Sequence, residues 1–240
     1  MKIAIAGKGG TGKTTLAALL VGRFREKGPS PLLAIDADPN ANLHLLLGIK
    51  YEKSISDIRD SVRHGTPPAG MTKSQYFALA AEEALVENRG FDFIAMGHPE
   101  GKDCYCSVNN ILRSFLENME KRYPLIIIDN EAGLEHLSRQ SNGRVDCMIF
   151  VAENTNVSLT AVKNGLEISG KLKLEIGKTG LVLNRTDTIR SEAENLGIPV
   201  LAALPEDPAI RSASEKGEPV GNKVSPAVLE KIDKIIAQLQ

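Results

Sequence analysis

Short apolar runs alternate with longer segments of helical periodicity along most of the chain. The runs KIAIA, LLAID, FDFIAMG, PLIIID, CMIFVA, TGLVLN and PVLAALP predict strands. Most are continuously apolar rather than alternating, as in parallel strands covered on both faces. Between them, segments such as TTLAALLVGRFREKG and NNILRSFLENMEKR repeat apolar residues every three or four positions and predict helices. In the second, Ile111, Leu112, Phe115, Leu116 and Met119 share one face. This βα repeat predicts a single doubly wound α/β domain over residues 1–240, with a mostly parallel sheet. Residues 51–90 are more polar and contain HGTPPAG, which predicts an insertion or a flexible helical excursion. The C-terminal SPAVLEKIDKIIAQLQ is amphipathic, but Glu230 and Asp233 offset Lys231 and Lys234. It therefore predicts a helix packed on the core rather than a cationic membrane anchor.

Composition narrows the partners. Of 240 residues, 42% are hydrophobic and 25% charged, ordinary for a soluble globular protein. Lys and Arg total 29 against 30 Asp and Glu, so bulk charge favours neither nucleic acid nor an acidic membrane as a partner. No run approaches the roughly 20 apolar residues of a membrane span, and the N-terminal run is too short for a signal peptide. Three cysteines do not make a secreted disulfide framework. A cytoplasmic protein is expected.

GKGGTGKTT, Gly7 to Thr15, follows the first strand and opens a helix. It satisfies G-x-x-x-x-G-K-[ST] in the strand–loop–helix context that the motif requires. Gly7, Gly9, Gly10 and Gly12 let backbone N–H groups, with those of Thr11 and Thr15, converge on phosphate oxygens. Lys13 is expected on the β- and γ-phosphates and the Thr14 hydroxyl on Mg²⁺. The expected class is thus a P-loop NTPase binding ATP or ADP.

The second lysine, Lys8, narrows this further. KGGTGKTT resembles the deviant Walker A motif of the MinD, ParA and nitrogenase-iron-protein superfamily. That resemblance implies an ATPase in which Lys8 crosses a homodimer interface to the partner's nucleotide. It also implies that Asp36 and Asp38 of AIDADPN lie near Mg²⁺ and orient the attacking water, respectively. In LIIIDNEAG it implies a Walker B carboxylate at Asp129 and a switch loop at Gly133. Asn184 of LVLNRTD and Pro205 of ALPEDPAI match positions beside the adenine. Two carboxylates and a threonine around one Mg²⁺ suit a hard cation that retains several waters.

GKDCYCSVNN places Cys104 and Cys106 just before the helix of Ile111, which Ser107 can cap. Two residues apart in an extended segment, both thiols face one side and can address one metal ion. A helix N-terminus favours the thiolates. One chain supplies two sulfurs where a closed thiolate site uses four, and a twofold partner would supply the others. An inert pair and a redox dithiol are the alternatives from spacing alone. Cys147, in VDCMIFVAEN, reads as core. MGHPEGKDCYCSVNNILR and DNEAGLEHLSR together resemble the CooC family, the accessory ATPases of carbon monoxide dehydrogenase nickel insertion. This likeness implies an ATP-dependent homodimer binding nickel or zinc through Cys104 and Cys106 of both subunits. It would serve carbon monoxide dehydrogenase or acetyl-CoA synthase. A partitioning or positioning ATPase and an iron–sulfur carrier of the same superfamily are the rivals. DNEAGLEHLSRQSNGR has no cysteine, which disfavours the carrier. His44, His64, His98 and His136 are possible further ligands, although surface or structural roles suit each.

Overall fold

The computed structural model describes residues 1–97, 115–131, 144–221 and 224–240. One eight-stranded sheet runs through it in the order β3-β4-β2-β5-β1-β6-β7-β8. The strands are β1 (Lys2–Ala6), β2 (Leu32–Ala37), β3 (Val86–Asn88), β4 (Phe91–Ala95), β5 (Leu125–Asn130), β6 (Arg144–Glu153), β7 (Glu175–Asn184) and β8 (Val200–Leu204). Every neighbouring pair is parallel except β3 and β4. The seven apolar runs are the seven parallel strands. β3 escapes that reading because VEN is short and polar; it is the return arm of a hairpin turning at Gly90, φ 87°.

The continuity of the apolar runs follows from helices on both faces. Along β1, Ile3 and Ile5 point into one cluster, Ala4 and Ala6 into the other. The first cluster is closed by α1 (Lys13–Lys27), the short α2 (Leu43–Leu47) and the C-terminal α9 (Pro226–Leu239). The second is closed by α3 (Ile55–His64), α4 (Lys73–Glu83), the helical residues 115–122 (α5), α6 (Asn156–Lys171) and the single turn α7 (Ser191–Glu194). One more helix, α8 (Pro208–Lys216), follows β8.

Residues 51–90 carry two helices, and both pack on the core. Ile55, Ile58 and Val62 of α3 and Phe77 and Ala81 of α4 are buried in the core. Both helices open with a reciprocal capping box, Ser54 with Asp57 and Thr72 with Gln75. Two orphan donors are thereby satisfied at each start. The charged residues between the apolar positions masked this periodicity. The C-terminal helix packs on the core as its pattern predicts, burying Val228, Ile232, Ile235 and Leu239. The Arg23 guanidinium donates to Asp233 Oδ1 at 2.9 Å, tying α1 to α9. Gln238 Nε2 donates to the Leu201 carbonyl at 3.1 Å on edge strand β8, occupying part of an otherwise open edge. Among the described residues, no helix is long and apolar enough to cross a membrane.

Candidate nucleotide site

The site is built at the carboxyl ends of three adjacent strands. In the parallel register, Asp129 of β5 stands beside Ile5 of β1 on one side and Asp36 of β2 on the other. This is the edge at which open α/β sheets bind ligands.

The glycine loop leaves β1 at Gly7, φ 148°, where a Cβ would lie 2.3 Å from the Val151 carbonyl oxygen. Gly12 precedes α1 in the left-handed region, φ 98°, and no side chain caps the helix. The first-turn N–H groups are thus left for an external acceptor, with the positive end of the helix dipole behind them. Two hydrogen bonds shape the loop from within and without. The Thr11 hydroxyl donates to the Lys8 carbonyl at 2.8 Å, and Asn184 Nδ2 donates to the Thr11 carbonyl at 2.8 Å. Lys13 is buried, its Nζ resting 3.4 Å from the Lys8 carbonyl. Thr14 and Thr15 are half-buried, whereas Lys8, Gly9 and Gly10 are exposed. Lys8 therefore faces outward.

Beside the loop stand the carboxylates. Asp36 is fully buried and accepts the Leu43 amide at 2.9 Å and the Asp38 amide at 3.2 Å. Burial outweighs these donors and pushes its pKa up to about 6. Asp129 is 1% exposed, and burial pushes it up to about 7. The Thr14 hydroxyl and the Lys13 charge pull it back, while the Asp36 and Asp38 charges oppose them. Neither Asp129 oxygen has a hydrogen-bond partner of ordinary geometry. Buried carboxylate oxygens are seldom left so, and each such case calls for an explanation. Two hard oxygens beside Asp36 and Thr14 fit a magnesium ion that keeps part of its water shell. Asp38, half-buried, accepts the Asn40 amide N–H and Nδ2, both at 2.9 Å.

A cleft of about 370 Å³ opens on the other side of the glycine loop, lined among others by Thr15, Asn184, Arg185, Pro205, Ile210 and Arg211. Asn184 and Pro205 thus meet in one cavity next to the phosphate loop, although Asn184 also braces that loop. The buried Asp207 supports the cleft wall, accepting the Ala209 and Ile210 amides at 2.9 and 3.2 Å and the Ser225 amide at 2.9 Å. Arg185, Ile210 and Arg211 carried no signal in sequence, because NRTD reads as a turn after a strand and EDPAIRS as an ordinary helix start.

Cys104, Cys106, His98, His136 and Gly133 lie outside the described residues. Cys147 is core, 3% exposed on β6, its thiol pushed up by burial. Among the described residues, no group of three or more His, Cys, Asp or Glu is placed to hold a metal ion. A nickel or zinc site would therefore draw on residues beyond them.

Residues 2–220 match the CobQ/CobB/MinD/ParA nucleotide-binding domain. The chain belongs to this family. As a member of the CobQ/CobB/MinD/ParA family it is an ATP-binding P-loop protein with the mostly parallel α/β fold of MinD and ParA. It is 38% identical to an uncharacterized ATP-binding protein of Methanocaldococcus jannaschii, over 98% of each chain. It is 30% identical to the carbon monoxide dehydrogenase accessory protein CooC of Rhodospirillum rubrum, over 100% of this chain and 96% of that one. The cell division ATPase MinD of Pyrococcus furiosus superposes with a TM-score of 0.71 at 25% identity, covering 100% of both chains.

Proposed function

We propose that the protein is an ATP-hydrolysing metallochaperone that works as a nucleotide-dependent homodimer and loads nickel into carbon monoxide dehydrogenase or acetyl-CoA synthase. The observation that carries this reading is the 30% identity to CooC along the whole chain. The Cys-x-Cys pair at Cys104 and Cys106 adds independent chemical support.

On the nucleotide side, Lys13 and the α1 N-terminus bind the phosphates, and Thr14, Asp36 and Asp129 hold magnesium. When bound, that ion neutralises charge developing on the phosphates. Asp38 orients the attacking water, and Lys8 reaches the nucleotide of the facing protomer. Asn184 and Pro205 border the adenine. On the cargo side, Cys104 and Cys106 of two protomers present four thiolates to one nickel or zinc ion. Thiolates suit either metal, so ligand type does not choose between them. Closure on ATP brings the two pairs together; opening after hydrolysis separates them and weakens their hold. By linkage, metal must tighten nucleotide-dependent dimerisation by the factor that nucleotide tightens metal binding.

Anaerobic titration of nickel and of zinc into nucleotide-free, ADP-bound and ATP-bound protein tests this. The expected result is one tight metal per dimer, nucleotide-dependent in affinity, and lost in Cys104→Ser with nucleotide binding intact. Equal affinity in all three states removes the coupling, and a tight metal in Cys104→Ser removes the ligand assignment. The MinD superposition supports a second reading, a positioning or partitioning ATPase. ATP-dependent pelleting with liposomes or DNA would favour it.

A further inference from the structure

The segment that follows Asp36 folds back over its carboxylate. Asp36 accepts the Leu43 amide, Asp38 Oδ1 accepts two donors from Asn40, and the Asp38 carbonyl accepts the Ala41 amide at 2.9 Å. The turn passes through Ala41 at φ 46°, a left-handed conformation that a residue with a Cβ seldom adopts unless its surroundings impose it.

One side chain is placed to impose it. His44 Nδ1 lies 2.6 Å from the Ala41 carbonyl. A carbonyl oxygen only accepts, so Nδ1 carries the proton and the bond persists whether the imidazole is neutral or charged. The ring is held in turn: it meets Tyr51 edge-on, centroids 5.0 Å apart at 86°. Tyr51 rests on Phe93, 5.9 Å away, fully buried in β4. The Tyr51 hydroxyl is pushed up by burial and by the Asp36 and Asp57 charges, which puts it in the electrostatic reach of the site. The far end of α2 is anchored separately. The Val220 amide donates to the Leu46 carbonyl at 2.9 Å, and Gly48 lies against Pro219. His44 therefore projects from a fixed helix onto the loop that carries Asp38 and leads to Leu43, whose amide holds the Asp36 carboxylate at the end of β2.

We propose that His44 is a positioning residue: its Nδ1–H bond to Ala41, backed by Tyr51, sets the turn that aims Asp36 at magnesium and Asp38 at the attacking water. This deepens the reading of the site as a magnesium-dependent ATPase and rests on it.

Two replacements separate the bond from the ring. His44→Phe keeps an aromatic face for Tyr51 and loses the donor; His44→Asn keeps a donor near the Nδ1 position and loses the ring. The expected result for His44→Phe is a kcat about tenfold lower, since small misplacements of reacting groups carry penalties of that order or more. KM for ATP and the melting temperature stay near wild type. Calorimetric ADP binding needs several-fold more magnesium but is unchanged without it. His44→Asn recovers most of the kcat and of the magnesium response. The proposal is overturned if His44→Phe stays within about twofold of wild type in kcat and in magnesium titration, a margin too small for a lost alignment. It is equally overturned if His44→Asn is no better than His44→Phe, or if melting temperature and kcat fall while KM rises. Should the wild type bind ADP and magnesium without hydrolysing ATP, the ATPase reading fails and the magnesium titration still decides His44. Wild-type ADP affinity indifferent to magnesium overturns both.

Discussion

Asp129 sits where burial and neighbouring charge work against its ionised form, and Asp36 beside it shares that environment. With pKa values of about 7 and about 6 against an ordinary 3.8, both carboxyls hold protons in the folded chain that the unfolded chain has released. The folded state therefore binds more protons above the ordinary value, and stability falls as pH rises through that window. Nucleotide-free protein should melt progressively lower from about pH 4 to about pH 7, and Asp129→Asn should lose much of that slope. A calorimetric pH series checks this, and an unchanged slope in Asp129→Asn would place the titrating group elsewhere. The phosphate loop was legible in sequence because its motif constrains chemistry locally, and Asp36, Asp38 and Asp129 followed from the resemblance to MinD and ParA. His44, Arg185 and Arg211 were not, since their roles come from what lies across space.

The elements were legible wherever both faces are covered, because burial on two sides demands an unbroken apolar run. β3 was lost to its length and polarity, and α3 was obscured by charges between its apolar positions. The C-terminal helix was read correctly from its one apolar stripe, and Ile232 lies at its centre, 0% exposed between α9 and the sheet. Ile232→Ala should cost about 2–5 kcal/mol by the lost transfer and the cavity left behind. Urea unfolding measures it, and a cost well under ~1 kcal/mol would mean that α9 is only loosely docked.

For the whole molecule, the same glycine loop holds one exposed lysine, Lys8, and one buried lysine, Lys13. In the dimer reading, Lys8→Ala should bind ATP normally yet fail to dimerise with it, with hydrolysis lower by ~100-fold, as for loss of one transition-state donor. Lys13→Ala should lose nucleotide affinity itself. Light scattering with and without ATP, beside equilibrium nucleotide binding, distinguishes the two. An ATP-dependent dimer of Lys8→Ala with wild-type hydrolysis would remove the cross-protomer role.

By itself the sequence determined the α/β class, the seven parallel strands and the phosphate-loop motif, because local pattern suffices for these. Asp36 and Asp129 entered as site carboxylates only through the resemblance to MinD and ParA. Only the tertiary structure decided that β2, β5 and β1 lie side by side, that Asp129 is left with unpartnered oxygens, and that His44 reaches Ala41 over Tyr51. Strand order, burial and cross-element contacts depend on how distant segments pack. No local window of the chain contains them.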